Sequence, residues 1–392
     1  MGLTDIQYKD SEVGRIPLDW EVMRLYDCCK KITDGTHDTP KPVDIGVPYL
    51  TAIHVKQNVI DYKNCYFLPK EVHDIIYKRC NPEHGDVLMV NIGAGVATTA
   101  FIDVDYEFSL KNVALLKPKI NTLSGAYLHH YQSYAKQRIV STITSGGAQP
   151  FLSLKQIGDL QIALPTKSEQ TAIATALSDT DALIENLEKL IAKKRNIKQG
   201  VMQELLTGRK RLAGFNGEWM KIKLGDICDI RKGQLITEKT AAGGEFPVIA
   251  GGINPSYFHN RPNRGKNTIT ISASGANAGY VSFHRNPIFA SDCSTIEEKG
   301  TFNIVYIFFL LQLFQKKIFK LQTGGAQPHV YPEHLKPLEL VFPQEVTEQD
   351  AIANILIDID EELSGLEKQM NKYQLIKQGM MQTLLTGKIR LV

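Results

Sequence analysis

The sequence predicts an α+β fold in which two α+β modules are separated by two long antiparallel coiled-coil helices related by a pseudo-twofold axis. Three observations carry that prediction. The chain has 392 residues, more than one compact core usually takes, so two or three modules are expected. Two stretches repeat at an offset of 179 residues, with 24 of 44 positions identical between Glu169–Leu212 and Glu348–Leu391. Both stretches space their apolar residues at helical period, whereas the segments before them alternate short apolar runs with Gly, Pro, Asn and Asp.

Composition narrows the class. Lys and Arg number 45 against 42 Asp and Glu, a net charge of +3, so a polyanionic partner has to be met by local patches. With 43% hydrophobic and 22% charged residues, disorder and collagen are excluded. The longest apolar run, Ile304 to Phe314, is shorter than the roughly 18 residues a membrane span needs and reads as a buried helix. The first ten residues carry acids and no apolar core, so a cytoplasmic location without membrane attachment is expected. Six cysteines (Cys28, Cys29, Cys65, Cys80, Cys228 and Cys293) show no zinc spacing and are expected to be reduced, mostly buried thiols.

In chain order, residues 1–165 form the first module, 166–208 a central helical spacer, 209–343 the second module and 344–392 a C-terminal helical spacer. Strand signals inside the modules include Asp86–Val90 and Thr268–Ile271, and helical stretches fall near Tyr127–Ser141 and Val305–Leu321. Trp20 and Trp219 open similar short segments, and Ser145-Gly146-Gly147-Ala148-Gln149-Pro150 matches Thr323-Gly324-Gly325-Ala326-Gln327-Pro328. Between these landmarks the modules barely resemble each other.

The repeated segments predict helices of about 40 residues, roughly 60 Å at 1.5 Å per residue. Pro165 and Pro343 precede them, and Gly208 and Gly387 stand where a C-terminal cap belongs. With Ile173, Thr180, Leu187, Lys194 and Val201 at heptad position a, Leu183, Leu190 and Ile197 fall at d, and Leu177, Ile184, Ile191 and Leu205 at e. The second copy puts Leu356, Leu363, Met370 and Leu384 at e. A stripe of a, d and e is wider than a two-stranded seam needs, so the e residues are expected to bind a partner.

Candidate contacts lie in polar loops. The first module offers Lys31, Thr36, His37 and Lys41 within Lys30–Lys41. The second offers Arg231, Lys232 and Gln234 at the corresponding place, then Arg261, Asn263, Arg264 and Lys266. From Arg231 to Lys266 six Lys and Arg face two Glu. Such a rim fits phosphate oxygens, while Gln234, His259, Asn263, His37 and Thr36 have donors and acceptors suited to base edges.

Catalytic motifs fail one by one. Asn254-Pro255-Ser256-Tyr257 comes within one residue of an adenine methyltransferase loop, but no Gly-rich cofactor loop accompanies it. Asp292 with Glu297-Glu298-Lys299 imitates a Mg²⁺-binding nuclease set on a single short stretch. Gly265-Lys266-Asn267-Thr268 lacks the residues of a P-loop. Adjacent His129 and His130 point about 100° apart on a helix and read as surface or partly buried residues, not a metal pair.

The order of variable module, Gly-Gly-Ala-Gln, proline, Glu-Gln-x-x-Ile, long helix and Leu-Leu-Thr-Gly, repeated once, resembles the specificity subunit of type I restriction-modification systems. The resemblance spans essentially the whole chain. Thr33-Asp34-Gly35-Thr36-His37-Asp38-Thr39-Pro40 is also similar to a loop of that family's target-recognition domains. Single prolines at Pro165 and Pro343 depart from the two often found there. The resemblance implies a non-catalytic reader of double-stranded DNA, each module contacting half of a bipartite, asymmetric site while the helices set the unread spacer. Half-sites one helical turn apart, roughly 34–36 Å, fit helices of this length that overlap only in part. It also implies methyltransferase (M) subunits docked on the helices and restriction (R) nuclease/translocase subunits joining them. No cofactor is expected in this chain: S-adenosylmethionine, ATP and Mg²⁺ belong to those partners, and no metal is expected here. The competing readings are a coiled-coil scaffold whose modules bind protein or glycan, and an enzyme acting alone through Asn254–Tyr257.

Overall fold

The structure, a computed structural model, describes residues 7–143 and 150–391. It divides into two compact units, Met1–Glu188 with Gln369–Val392, and Lys189–Lys368. The long helices, Lys167–Leu205 and Val346–Leu384, are 39 residues each. Both are split between the units, so the spacers do not stand as bodies of their own. The module cores take in the helix ends, Ile173, Ala174 and Leu177 with Leu384 in the first unit and Met202, Leu205 and Leu206 with Leu356 in the second.

In the first unit a four-stranded antiparallel sheet runs in the order Thr99–Phe101, Val87–Met89, Ala114–Pro118, Cys29–Asp34. A second sheet orders Ser109–Lys111, Val47–Thr51 and Tyr66–Leu68, its first pair parallel and its second antiparallel. The second unit repeats this plan. Its four-stranded sheet orders Val281–His284, Thr268–Ser272, Cys293–Glu298 and Cys228–Lys232. Its three-stranded sheet orders Phe289–Ala290, Phe246–Ile249 and Tyr257–His259, again one parallel and one antiparallel pair. Modules that share few residues therefore share one topology.

Each module is closed by a two-stranded ladder between the strand at its tryptophan and its last strand. Glu21–Arg24 pairs with Gln161–Leu164, and Trp219–Lys223 pairs with Glu339–Pro343. The ladder brings the start of the module to the proline that precedes the helix, which is why the two tryptophan segments look alike. The expected helices are present as Gly125–Ile143 and Ile304–Leu313, the latter with seven of its ten residues buried. All six cysteines are free and buried. No helix among the described residues is long and apolar enough to cross a membrane.

Within each unit the two helix segments run antiparallel. In the first, Asp181 pairs with Lys377 and Thr180 Oγ1 lies 3.6 Å from Met380 Sδ. In the second, Lys198 Nζ lies 2.7 Å from Asp360, Lys194 Nζ 2.7 Å from Glu362 and Arg195 2.6 Å from Glu367. The pairing reaches the helix ends in both units, so the partial overlap expected from sequence is not seen.

The repeated motifs explain themselves at those ends. Glu169 is fully buried, and Arg390 from the end of the other copy grips it through Nε at 2.6 Å and Nη2 at 2.8 Å. Trp20 Nε1 donates to the same carboxylate at 3.2 Å, and the guanidinium lies 5.7 Å from the Trp20 ring. In the second unit Arg211 grips buried Glu348 at 2.6 and 2.7 Å and lies 5.6 Å from the Trp219 ring. The neighbouring glutamines act on the modules. Gln170 Oε1 accepts from Ser124 N–H and its amide donates to Pro165, while Gln349 does the same with Asn303 N–H and Pro343. Gly208 and Gly387 end the helices at φ +70° and +68°, the left-handed cap that glycine takes without strain.

The apolar stripe is used differently from expectation. At e, Leu177, Ile191, Leu205, Leu356, Leu363 and Leu384 are buried, with Ile184 and Met370 half-buried. They serve the chain's own packing: Leu177 and Leu384 in the first unit's core, Leu205 and Leu356 in the second's. The exposed apolar residues of the first helix are instead the d residues Leu183, Leu190 and Ile197. Within the chain e is the buried flank and d is left open, which corrects the assignment of e to a partner.

Candidate nucleic-acid interface

The two candidate loops follow one path in both modules. Gly35 N–H donates to Val113 and Thr36 N–H to Leu110; Gly233 N–H donates to Cys293 and Gln234 N–H to Ala290. Glycine is required at both turns, since a β-carbon would lie 2.1 Å from the Leu110 oxygen at Gly35 and 2.0 Å from the Ser291 oxygen at Gly233. Such contacts press the loop onto the three-stranded sheet and turn the next side chains toward the rim.

Which candidates reach solvent is now clear. His37 is exposed, its Nδ1 2.9 Å from Asn112 Oδ1 and its Nε2 3.1 Å from the buried Asp34 carboxylate, which Arg79 also grips at 2.7 Å. Lys41 is exposed, and Lys31, also exposed, donates to the Arg79 carbonyl at 2.7 Å. In the second module Lys232, Gln234, Arg261 and Lys266 are exposed. Arg231 is exposed too, but paired with Asp229 at 2.9 Å and Glu297 at 2.6 Å.

Four candidates belong to the scaffold instead. Thr36 is buried, its hydroxyl accepting from Asp38 N–H. Asn263 clasps the backbone of Ala290, accepting from its N–H at 2.6 Å and donating to its carbonyl at 2.9 Å. Arg264 is spent on Thr295, the carbonyls of Asn263 and Lys232, and Glu297. His259 is buried, accepts from Ala242 N–H and packs edge-on against Phe289. A polar loop residue fully bonded to backbone has nothing left to offer a base.

One further element borders this rim in the second unit. The Thr323–His329 hairpin is closed by bonds in both directions, Thr323 N–H to His329 at 2.9 Å and His329 N–H to Thr323 at 2.8 Å, with Gly324–Gln327 exposed at its tip. Its foot is tied to the loop after Thr268–Ser272, because Gly275 N–H donates to Pro328 and Val330 N–H to Ala273. The His329 ring stacks on Tyr331 at 5.6 Å and 4°, and Lys232 Nζ lies 5.6 Å from the same Tyr331 ring. The first copy, Gly146–Gln149, lies outside the described residues. Its foot matches, with Gly93 N–H donating to Pro150 and Leu152 N–H to Asn91.

The rejected catalytic motifs are structural. Asn254–Ser256 is an exposed loop leading into strand Tyr257–His259, and Tyr257 donates to the Ile236 carbonyl at 2.6 Å. Asp292 accepts from Ser274 Oγ, and Glu297 is held by Arg231 and Arg264. Among the described residues, no three His, Cys, Asp or Glu side chains gather as a metal ion would need. His129 and His130 are buried, not at the surface: they bond Thr99 Oγ1 at 3.1 Å and Ser178 Oγ at 3.0 Å, and burial pushes their pKa values down to about 3 and about 2.

Residues 17–194 and 216–377 match the family model described as type I restriction modification DNA specificity domain, one match per module and helix. The chain belongs to this family. A type I restriction enzyme MjaVIII specificity subunit of Methanocaldococcus jannaschii is 24% identical over 98% of this chain and 96% of its own length. A protein of the same organism, provisionally named as the MjaX specificity subunit, is 27% identical with the same two coverages. The crystal structure of a type I restriction-modification S subunit from M. genitalium shares the fold, with a TM-score of 0.71 at 17% identity over 98% of both chains. This type I specificity chain thus has the family's two target-recognition domains and two long helices.

Proposed function

We propose that this chain is the DNA-reading, non-catalytic subunit of a type I restriction-modification complex. Its first module reads one half and its second the other half of a bipartite, asymmetric site in double-stranded DNA, and the helices set the unread spacer. Methyltransferase subunits dock on the helices and bring S-adenosylmethionine; restriction nuclease/translocase subunits join and bring ATP and Mg²⁺. All of this takes place in the cytoplasm.

The observation that carries this reading is one topology presented twice with unlike loops. A common frame holding His37 and Lys41 in one copy and Gln234, Lys232 and Arg261 in the other suits two different half-sites read in the same manner. Tyr257, Asp292 and Glu297 of the near-catalytic motifs are already bonded within the scaffold, which supports leaving the chemistry to partner chains. The test is to express the chain with its methyltransferase subunits and sequence the methylated genome. Adenine methylation confined to one split sequence supports the reading; failure to associate, or methylation without sequence preference, counts against it.

A further inference from the structure

The Gly-Gly-Ala-Gln segment is repeated in modules that otherwise barely resemble each other. What unlike readers share has to meet something common to both half-sites, and base sequence is not common to them. The glycines narrow the choice. Gly324 takes φ +94°, and a β-carbon there would lie 2.7 Å from the Gln327 oxygen, so the hairpin itself requires it. Gly325 is different: it has no left-handed φ, and a β-carbon would meet no atom within 4 Å. Neither backbone nor packing calls for glycine at Gly325, yet both copies carry it, as Gly147 and Gly325. The remaining reason for a bare backbone at an exposed tip is close approach by another molecule.

Charge says which kind of molecule. From Lys299 to Pro332 there is no Asp or Glu and there are four lysines; from Phe108 to Gly158 there is again no acid, with six Lys and Arg. Both repeats thus sit in acid-free, basic stretches, and the second has Lys232 beside the Tyr331 and His329 rings at its foot. Of the carboxylates near its foot, Asp292 is occupied by Ser274 Oγ and Asp229 and Glu297 by Arg231, while Glu333 is exposed in the short helix after Tyr331.

We infer that the Gly324–Gln327 hairpin with Lys232 is a sequence-independent contact for the DNA sugar–phosphate backbone, which glycine lets approach the bare N–H groups of the tip. This rests on the DNA-reading function above and assigns the hairpin to positioning, leaving base readout to the loops at His37 and Gln234.

The test uses the full chain in complex with its methyltransferase subunits. Its probes are a pool of random-sequence duplexes and the duplex carrying the methylated site. Gly325→Asp is expected to weaken both by about tenfold or more, leaving their ratio unchanged. Lys232→Gln is expected to weaken both less and to lower the dependence of log affinity on log salt by about one. Gly325→Ala, which meets nothing, keeps the melting temperature and checks that the tip tolerates a side chain; should Gly325→Asp unfold, Lys232→Gln decides. Unchanged affinity for both duplexes overturns the inference. So does a loss confined to one base position of the site, or loss of methyltransferase subunits with DNA binding by the chain intact. If the unaltered complex binds no duplex, it is the DNA-reading function that falls.

Discussion

Arg390 shows how much a single side chain does in this fold. Its fork neutralises Glu169, a carboxylate with no exposed surface, and reaches Asp19 at 2.8 and 2.9 Å. Removing one partner of a buried pair leaves the other charge stranded, so Arg390→Ala is expected to lower stability by about 3 kcal/mol or more, read from urea unfolding. Arg390→Lys should recover only part of it, since the single nitrogen of an ammonium lacks the planar fork that grips Glu169 and Asp19 with two bonds each. His129 and His130 predict acid sensitivity. Their folded pKa values lie far below the ordinary 6.5, so the unfolded chain takes up protons first. Stability is fully retained above pH about 6.5 and falls below it by up to about 1.4 kcal/mol per pH unit for each histidine. His130 Nδ1 stands 4.0 Å from Asp181, whose carboxylate already pairs with Lys377. In the second unit the matching pair is Lys198–Asp360, and Phe309 lies 5.2 Å from Lys198. His130→Phe is therefore expected to flatten the pH dependence between about 6.5 and 4, measured as the shift of the urea midpoint. At this scale the sequence was least legible. Asn263 and Arg264 look like free loop polars until Ala290, 27 residues away, closes on Asn263 and Thr295 and Glu297 close on Arg264.

Among the elements, the helices were the most legible, because a period of 3.6 is intrinsic to the backbone and can be counted along the chain. Both helix lengths and both glycine caps follow from that counting. What counting cannot supply is which flank of a wide stripe the modules cover, since that depends on where strands far away in sequence come to rest. Leu190 and Ile197 are 39% and 42% exposed, while Ile191 is 4% exposed. This difference is a prediction. Leu190→Asp and Ile197→Asp are expected to leave unfolding within about 0.5 kcal/mol of the parent while reducing co-purification with methyltransferase subunits. Ile191→Asp is expected to unfold the second unit. Equal loss of stability in all three variants would show that d is as buried as e and remove it as a docking face. The strands of the modules were legible only as runs such as Val87–Met89 and Thr268–Ser272; their order, with one parallel pair in each small sheet, rests on long-range contacts.

For the whole molecule, the common topology predicts modular exchange. Replacing residues 1–165 with the first module of another family member is expected to change one half of the methylated sequence and leave the other intact; a change in both halves would refute independent reading. Deleting four residues, about one turn, from Lys167–Leu205 should alter the spacer or abolish assembly, as methylome sequencing would report. The duplication was plain in the sequence because identical residues were kept wherever helix meets module.

Those meeting points carry one more consequence. Glu169 belongs to the first copy and its arginine to the second; Glu348 belongs to the second and its arginine to the first. Neither half of the chain holds both key and lock. A gene shortened by recombination between its own repeats would encode a single head whose carboxylate waits for an arginine on a sister molecule, and it would have to pair with its twin before either could stand.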